Sequence, residues 1–356
     1  MPMPRLTGFA PTCYLALIGL ALMPTALRAQ DHSEHDMSQM EGGMDGMSHD
    51  GHAMSEEDYA VLRDRIPLYK EYSNEPIMLE MQMMDPDETR YLSAMDKTGK
   101  VGILVLIHGL GAAGNAITEN AVKPIGAIYP TAISSGMSMM GSAHIQEGLD
   151  KLTAAGAEKI IVVPIVATKH NSLYRQWMHV FGKLEDGAYL DVPQATTSAE
   201  LIFVDPFDDH PLVHEMLLDH ATELSTDPAN TDVYVLAHGP HYDDDNQAQL
   251  EMLGRLAERV KDIGGFNAVT GITLQDDAPT ATRAANVERL RGMIEASNAA
   301  GREVVVVTNL MSGRSIQWRI EKDLEGLDYK FNVKGLAQHD NFVRWFQSEV
   351  MDAQEG

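Results

Sequence analysis

The amino-acid sequence predicts an α/β protein with two similar halves, each a parallel sheet flanked by helices, and a cleft between the halves. Three observations predict this fold class. Short apolar runs alternate with helical segments from about residue 100, the same order recurs in the second part of the chain, and the first strand of each part ends in His-Gly, at His108 and His238. Strands that alternate with helices form parallel sheets covered on both faces.

The elements of the first half follow in order from residue 100. The continuous apolar run Val101–Ile107 is typical of a parallel strand buried on both faces. The sequence predicts further strands at 131–138, 159–166 and 199–204, and helices at 116–128, 142–155 and 210–224.

The second half repeats this order. The segment 233–239 repeats 102–109, and the segment 300–307 repeats 155–163. The repeat is much longer than a solenoid unit, so it indicates a duplicated domain. Right-handed crossovers place His108 and His238 at the carboxyl ends of their strands, where open α/β sheets bind ligands. We therefore expect the site in the cleft between the halves.

Three further segments are predicted before residue 100. Residues 1–29 have the pattern of a secretory signal: a basic start at Arg5, an apolar run at 13–23 and a small residue, Ala29, at the expected cleavage point. The apolar run is shorter than the roughly 20 residues that span a bilayer. We expect a periplasmic or secreted protein with no membrane span in its mature form.

Residues 30–55 follow the signal and contain five Met and four His, but no apolar periodicity. Such a composition predicts a disordered segment. Thioether and imidazole ligands suit copper, especially Cu(I), so the segment is a candidate for metal capture, with a neutral linker as the alternative.

Residues 56–99 are predicted to form an N-terminal extension, and Ser55 with Asp58 predicts a capping box for a helix over 56–65. The two halves are predicted at 100–228 and 229–350. A short tail is predicted at 351–356.

Charge and cysteine content limit the function classes. The chain has 27 Lys and Arg against 52 Asp and Glu, a formal charge of −25. Such a surface repels nucleic acids and concentrates cations. The glycines match neither a dinucleotide turn nor a phosphate loop, so no nucleotide cofactor is expected. Cys13 is the only cysteine and lies in the predicted signal, so metal ligands would be His, Met, carboxylate or backbone oxygen.

Histidines that follow predicted strands are the main candidate site residues. His108 precedes a glycine-rich turn, where an imidazole nitrogen can meet a metal, and His170 emerges after the third strand. His238 is the counterpart of His108 in the second half. Weaker metal-ligand candidates are Met139, Met140 and His241.

A hydrolase is a further hypothesis, since the turn after His108 looks like the His-Gly turn of α/β-hydrolases. Those enzymes need a Gly-x-Ser-x-Gly elbow, which is absent here, and the order around Ser138 does not match it. The sequence therefore disfavours this reading.

The constellation of these motifs resembles the class II chelatases, which include the sirohydrochlorin cobalt- and ferrochelatases. The resemblance rests on strands ending in His-Gly, on Ala155-Gly156 before a Val-rich strand that ends at Pro164, and on a later His; it covers about 100–350 in both halves. It implies two chelatase-like domains. It also implies that a divalent metal (cobalt, nickel, iron or copper) is inserted into a tetrapyrrole such as sirohydrochlorin, with His108 and His170 as metal ligands and catalytic bases.

Two departures from the family keep an alternative open. An acidic residue usually ends the second strand, whereas this chain has Ser138-Met139-Met140, and the family members are cytoplasmic. The alternative is a non-catalytic periplasmic protein for binding of, or resistance to, copper, cobalt or nickel.

Overall fold

The computed structural model describes residues 54–84, 87–109, 111–312 and 315–355. The predicted signal and almost all of the predicted disordered segment lie outside these residues. No helix in the described ranges has the length and apolar character needed to cross a membrane.

The N-terminal extension begins with helical elements. They are α1 (Glu56–Arg65), a 3-10 turn (Pro67–Glu71) and α2 (Asn74–Met83). The predicted capping box at the start of α1 is confirmed: the backbone N–H of Asp58 donates to Ser55 Oγ at 3.2 Å, and the backbone N–H of Ser55 donates to Asp58 Oδ2 at 2.8 Å.

The first sheet has five strands in the order β1-β3-β2-β4-β5. Its strands are β1 (Glu88–Tyr91), β2 (Val101–Ile107), β3 (Thr131–Ser135), β4 (Lys159–Pro164) and β5 (Glu200–Phe203), and its helices are α3 (Gly111–Gly126), α4 (Ala143–Ala154), α5 (Ser172–Val180) and α6 (Pro211–Thr222). All neighbours are parallel except β1, which pairs antiparallel with β3. Strand β3 ends at Ser135, earlier than predicted, because Gly136 and Ser138 have positive φ.

The second sheet has four strands in the order β7-β6-β8-β9. Its strands are β6 (Thr231–Ala237), β7 (Ala268–Thr273), β8 (Glu303–Thr308) and β9 (Lys330–Phe331), and its helices are α7 (Asp243–Gly264), α8 (Thr280–Ala299), α9 (Ser315–Asp323) and α10 (Asp340–Glu355). This order matches β3-β2-β4-β5 of the first sheet, so the predicted α/β fold of two similar halves is confirmed.

Helix α10 continues to Glu355, so residues 351–355 of the predicted tail are helical. The physical reason is packing: Val350 is fully buried, and Ala353 still packs against the hydrophobic core. The last turn of α10 is therefore held by tertiary contacts.

One hydrophobic core joins the two halves. Alternate residues of β2 (Ile103, Val105 and Ile107) enter the same core as Val233 and Val235 of β6. The opposite faces of the two sheets pack in separate outer cores, where Leu104 and Leu106 meet α4 and α5, and Tyr234 and Leu236 meet α8 and α9. Both sheets are thus buried on both faces, as their continuous apolar runs predict.

Candidate functional site

Two equivalent His-Gly turns lie at the carboxyl ends of β2 and β6. Nδ1 of His108 is 2.8 Å from the carbonyl oxygen of Gly109, and Nδ1 of His238 is 2.9 Å from that of Gly239. Both glycines have positive φ, 89° and 80°, a conformation that glycine adopts without strain. A neutral imidazole that donates through Nδ1 carries its lone pair on Nε2. Each turn therefore sets Nε2 as the nitrogen for metal binding or proton transfer.

The imidazole of His238 faces two carboxylates. Its Nε2 lies 3.9 Å from Oδ1 of Asp277. Burial opposes protonation of this imidazole, but Asp277 and Asp276 outweigh burial and raise the pKa of His238. A metal at this position would displace a bound proton in mildly acidic solution.

His170 lies in the loop after β4, partly buried, at the carboxyl edge where the sequence places it. Its backbone N–H donates to Thr168 Oγ1 at 3.1 Å. The next residue, Asn171, caps α5 by accepting a hydrogen bond from the backbone N–H of Tyr174 at 2.8 Å. The cap fixes the backbone of the loop that carries His170.

Among the described residues, no three His, Cys, Asp or Glu side chains converge to hold a metal ion. His108, His170 and His238 therefore do not form a single three-ligand centre. The reason is topological, since His108 and His170 follow strands of the first sheet, whereas His238 follows a strand of the second.

The weaker candidates have other surroundings. Met139 is buried in an apolar cluster with Tyr59 and Leu62, whereas Met140 is half-exposed. The thioether of Met139 thus packs among apolar side chains, and its role as a metal ligand stays a prediction.

His241 lies buried at the seam between the halves. Both of its ring nitrogens are 3.4 Å from the hydroxyl oxygen of Ser172 in the first half. Burial lowers its pKa, against the opposing effects of Asp277 and Asp245. Arg175 and Asp245 form an ion pair across the same seam at 2.7 Å. These contacts hold the two carboxyl edges together.

An open depression of about 340 Å³ lies beside this seam. It is lined by Arg175, Tyr242 and the three aspartates 243–245. These aspartates occupy the first turn of α7, where their charges match the positive end of the helix dipole.

Residues 54–84, here called the strap, pack against the carboxyl edges of both sheets. On the first half, the guanidinium of Arg65 makes two hydrogen bonds to the carboxylate of Asp191, at 2.8 and 3.0 Å, and lowers the pKa of Asp191 to about 2. On the second half, the hydroxyl of Tyr242 donates to the carbonyl oxygen of Arg65 at 2.7 Å. The strap therefore bridges the halves next to the histidine turns.

A second polar contact ties the middle of the strap to the second half. The Glu71 carboxylate accepts hydrogen bonds from the backbone N–H and the hydroxyl of Thr280, at 3.1 and 2.6 Å, at the start of α8. The strap also forms an apolar cluster with two residues of the first half: Tyr59, Leu62, Ile66, Tyr69, Ile77, Met139 and Tyr189. Sequence reasoning missed this arrangement, because 66–98 shows no clear apolar period.

Loss of the Arg65 side chain is expected to loosen the strap. The Arg65→Ala variant leaves Asp191 and the carbonyl oxygen of Tyr189 without their shared donor. Because this pair is partly exposed, we expect a loss of about 1 kcal/mol in local stability, and roughly fivefold faster amide hydrogen exchange in α1. Hydrogen exchange read by mass spectrometry measures the effect. Lys100→Ala, which removes a fully solvated ion pair with Glu158, is the control; equal exchange in both variants would show that Arg65 does not hold the strap.

The chain was compared with known protein families, curated proteins and solved structures. No protein-family model matches the chain, and no curated protein matches it. Among solved structures, it is similar to SirB from Bacillus subtilis with Fe3+, with a TM-score of 0.53 and 16% identity over 72% of this chain and 96% of that one. It is also similar to the sirohydrochlorin chelatase SirB from Bacillus subtilis subspecies spizizenii in complex with cobalt, with a TM-score of 0.51 and 12% identity over the same shares. The predicted resemblance to a chelatase fold is confirmed.

Proposed function

We propose that this chain is a periplasmic chelatase-like protein that binds a divalent metal ion at the carboxyl edges of its sheets. Nε2 of His108 would bind the ion together with His170, and His238 would be the counterpart in the second half. The observation that supports this most is the pair of equivalent His-Gly turns, which set the same imidazole tautomer in both halves. They occur on a fold similar to that of SirB, which has been solved with Fe3+ and with cobalt.

An incomplete ligand set is consistent with metal transfer. Closed sites with four protein ligands hold a metal as a structural element, whereas sites that react keep open positions. Two imidazoles would leave positions for water and then for the pyrrole nitrogens of a tetrapyrrole such as sirohydrochlorin. Imidazole is also a base of near-neutral pKa, so it suits the removal of pyrrole protons as the metal enters.

A non-catalytic metal-binding protein is the second candidate. It is favoured by the five Met and four His of residues 30–55, which suit Cu(I). It is also favoured by the strap, which packs against the carboxyl edges that a macrocycle would have to reach. Binding without transfer needs no such entry.

The test is a metal titration of the full-length chain with Co(II), Ni(II), Fe(II) and Cu(I), followed by addition of sirohydrochlorin and a record of its absorbance. Under the chelatase proposal, insertion exceeds the uncatalysed rate, and His108→Ala slows it about 100-fold or more. His214→Ala on α6, which changes a histidine outside the proposed ligand set, is the matched control. Tight Cu(I) binding that disappears when the Met and His of residues 30–55 are replaced by Ser, without any insertion, would support the second candidate. If His108→Ala changes neither binding nor insertion, the proposed site is wrong.

A further inference from the structure

A serine, a histidine and an aspartate lie in line at the carboxyl edge of the first sheet, separate from the histidine turns. Ser138 Oγ is 3.3 Å from Nε2 of His144. Nδ1 of the same imidazole is 3.3 Å from Oδ2 of Asp87, a charge contact outside hydrogen-bond geometry, and this nitrogen has no hydrogen-bond partner among the described residues. A nucleophile, a base and a group that orients the base stand in this order in enzymes that transfer acyl groups.

The backbone at Ser138 is also unusual. Its φ is 54°, in the left-handed region that residues other than glycine rarely adopt and that often occurs at functional sites. The residue lies on the turn between β3 and α4, and a strained strand-to-helix turn is how α/β-hydrolases present their nucleophile.

Gly136 makes room for the aspartate at this turn. A side chain on Gly136 would collide with the Asp87 carboxylate. Asp87 in turn accepts the backbone N–H of Ser138. The glycine therefore allows the carboxylate to approach both the serine backbone and the imidazole.

The protonation states fit these roles near neutral pH. Burial lowers the pKa of His144 to about 4, so the imidazole is neutral. Burial raises the pKa of Asp87 to about 6, which leaves the carboxylate mostly ionised at pH 7. A carboxylate beside Nδ1 favours the tautomer with the proton on that nitrogen, and the lone pair of Nε2 then faces Ser138.

The surroundings of the serine are apolar and closed. Ser138 is fully buried, and the next residue, Met139, belongs to the apolar cluster of the strap. Met137 packs against both this cluster and the outer core of the first half, and the indole N–H of Trp177 donates to the carbonyl oxygen of Gly136 at 3.3 Å. A substrate would reach Ser138 when the strap withdraws, and it would place an apolar group among these side chains.

We infer that Ser138, His144 and Asp87 form a second site, a serine esterase centre for carboxylic esters with an apolar acyl group. Ser138 Oγ attacks the carbonyl carbon and its proton passes to Nε2 of His144. The bond from that carbon to the alcohol oxygen breaks, and the alcohol leaves with the proton. Water then attacks the acyl-serine and gives a proton to His144. The carboxylic acid leaves as Ser138 regains its proton.

A serine-reactive fluorophosphonate probe tests this site on the full-length chain. We expect intact-mass spectrometry to show one adduct and peptide mapping to place it on Ser138, with faster labelling in Arg65→Ala because the strap is loosened. The adduct should be lost in Ser138→Ala. It should persist in Ser135→Ala, which removes a buried hydroxyl at the end of β3. That hydroxyl lies 3.5 Å from Nδ2 of Asn115.

Two further variants separate catalysis from packing. His144→Gln and Asp87→Asn are each expected to slow labelling, and hydrolysis of p-nitrophenyl butyrate, about 100-fold. Circular dichroism and thermal unfolding confirm that each variant is folded. The inference is overturned if neither the wild-type chain nor folded Arg65→Ala is labelled at Ser138. Labelling of folded His144→Gln at the wild-type rate would overturn it as well.

Discussion

Trp345→Ala is expected to destabilise both halves together, by about 3–5 kcal/mol in the free energy of unfolding. Trp345 is fully buried on α10, a helix that follows the second sheet in sequence. Its ring stacks on that of Phe207, which belongs to the first half, with centroids 3.8 Å apart. Truncation leaves a large cavity in the core that the two sheets share.

Urea unfolding followed by circular dichroism measures this effect. A single transition that shifts as a whole is expected, because the lost contacts join the halves. Trp318→Ala is the matched control: its ring is 61% exposed, so a change below about 0.5 kcal/mol is expected. Two separate transitions, with only the second moved by Trp345→Ala, would show that the halves unfold independently.

The sequence predicts β2, β4, β6 and β8 well, because each is an apolar run too continuous for a surface helix. Helix α1 was predicted from two residues alone, since Ser55 and Asp58 satisfy each other's backbone and side-chain groups. In these strands and in α1, the local sequence preference agrees with the final fold.

Helix α2 and strand β1 could not be predicted in the same way. Helix α2 buries Ile77 completely, but its other positions mix charged, polar and apolar residues without a clear period. Strand β1 carries Glu88, Thr89 and Arg90, and forms because β3 offers it an antiparallel edge. Tertiary pairing decides such segments, and no single-sequence pattern records it.

Part of the candidate site could be predicted from the sequence and part could not. Topology alone predicts that His108, His170 and His238 follow strand ends, and each of them does. Which side chains meet depends on distances between elements far apart in sequence. Asp87 lies about 50 residues before Ser138 and His144 in the sequence, so no local motif links the three residues. A search for a Gly-x-Ser-x-Gly pattern therefore does not find this cluster. The signal at 1–29 and the Met- and His-rich segment at 30–55 stay predictions.

Acid is expected to weaken the junction between α6 and α10, through His220. This imidazole is fully buried, and its ring nitrogens have no hydrogen-bond partner among the described residues. It packs edge-on against His339, just before α10, with ring centroids 5.6 Å apart. Burial, and then repulsion from His339, lower the pKa of His220 to about 4.

The sign follows from proton binding in the two states. An unfolded histidine has a pKa of about 6.5, so between pH 6.5 and 4 the unfolded chain binds more protons than the folded chain, and acid favours unfolding. For His220 alone, the free energy of unfolding should fall by about 2 kcal/mol between pH 7 and pH 5. His144, whose pKa is also lowered to about 4, acts in the same direction, whereas the raised pKa of Asp87 acts in the opposite one.

His220→Phe is expected to remove the contribution of His220 to the pH dependence of the free energy of unfolding. It also replaces a buried imidazole without hydrogen-bond partners by an apolar ring. Urea unfolding at pH 7, 6 and 5 measures the slope, which should be flatter in this variant than in the wild-type chain. His214→Phe changes a less buried histidine on the same helix and should flatten the slope less. If both variants keep the wild-type slope, protonation of His220 at the α6–α10 junction does not cause the loss of stability in acid.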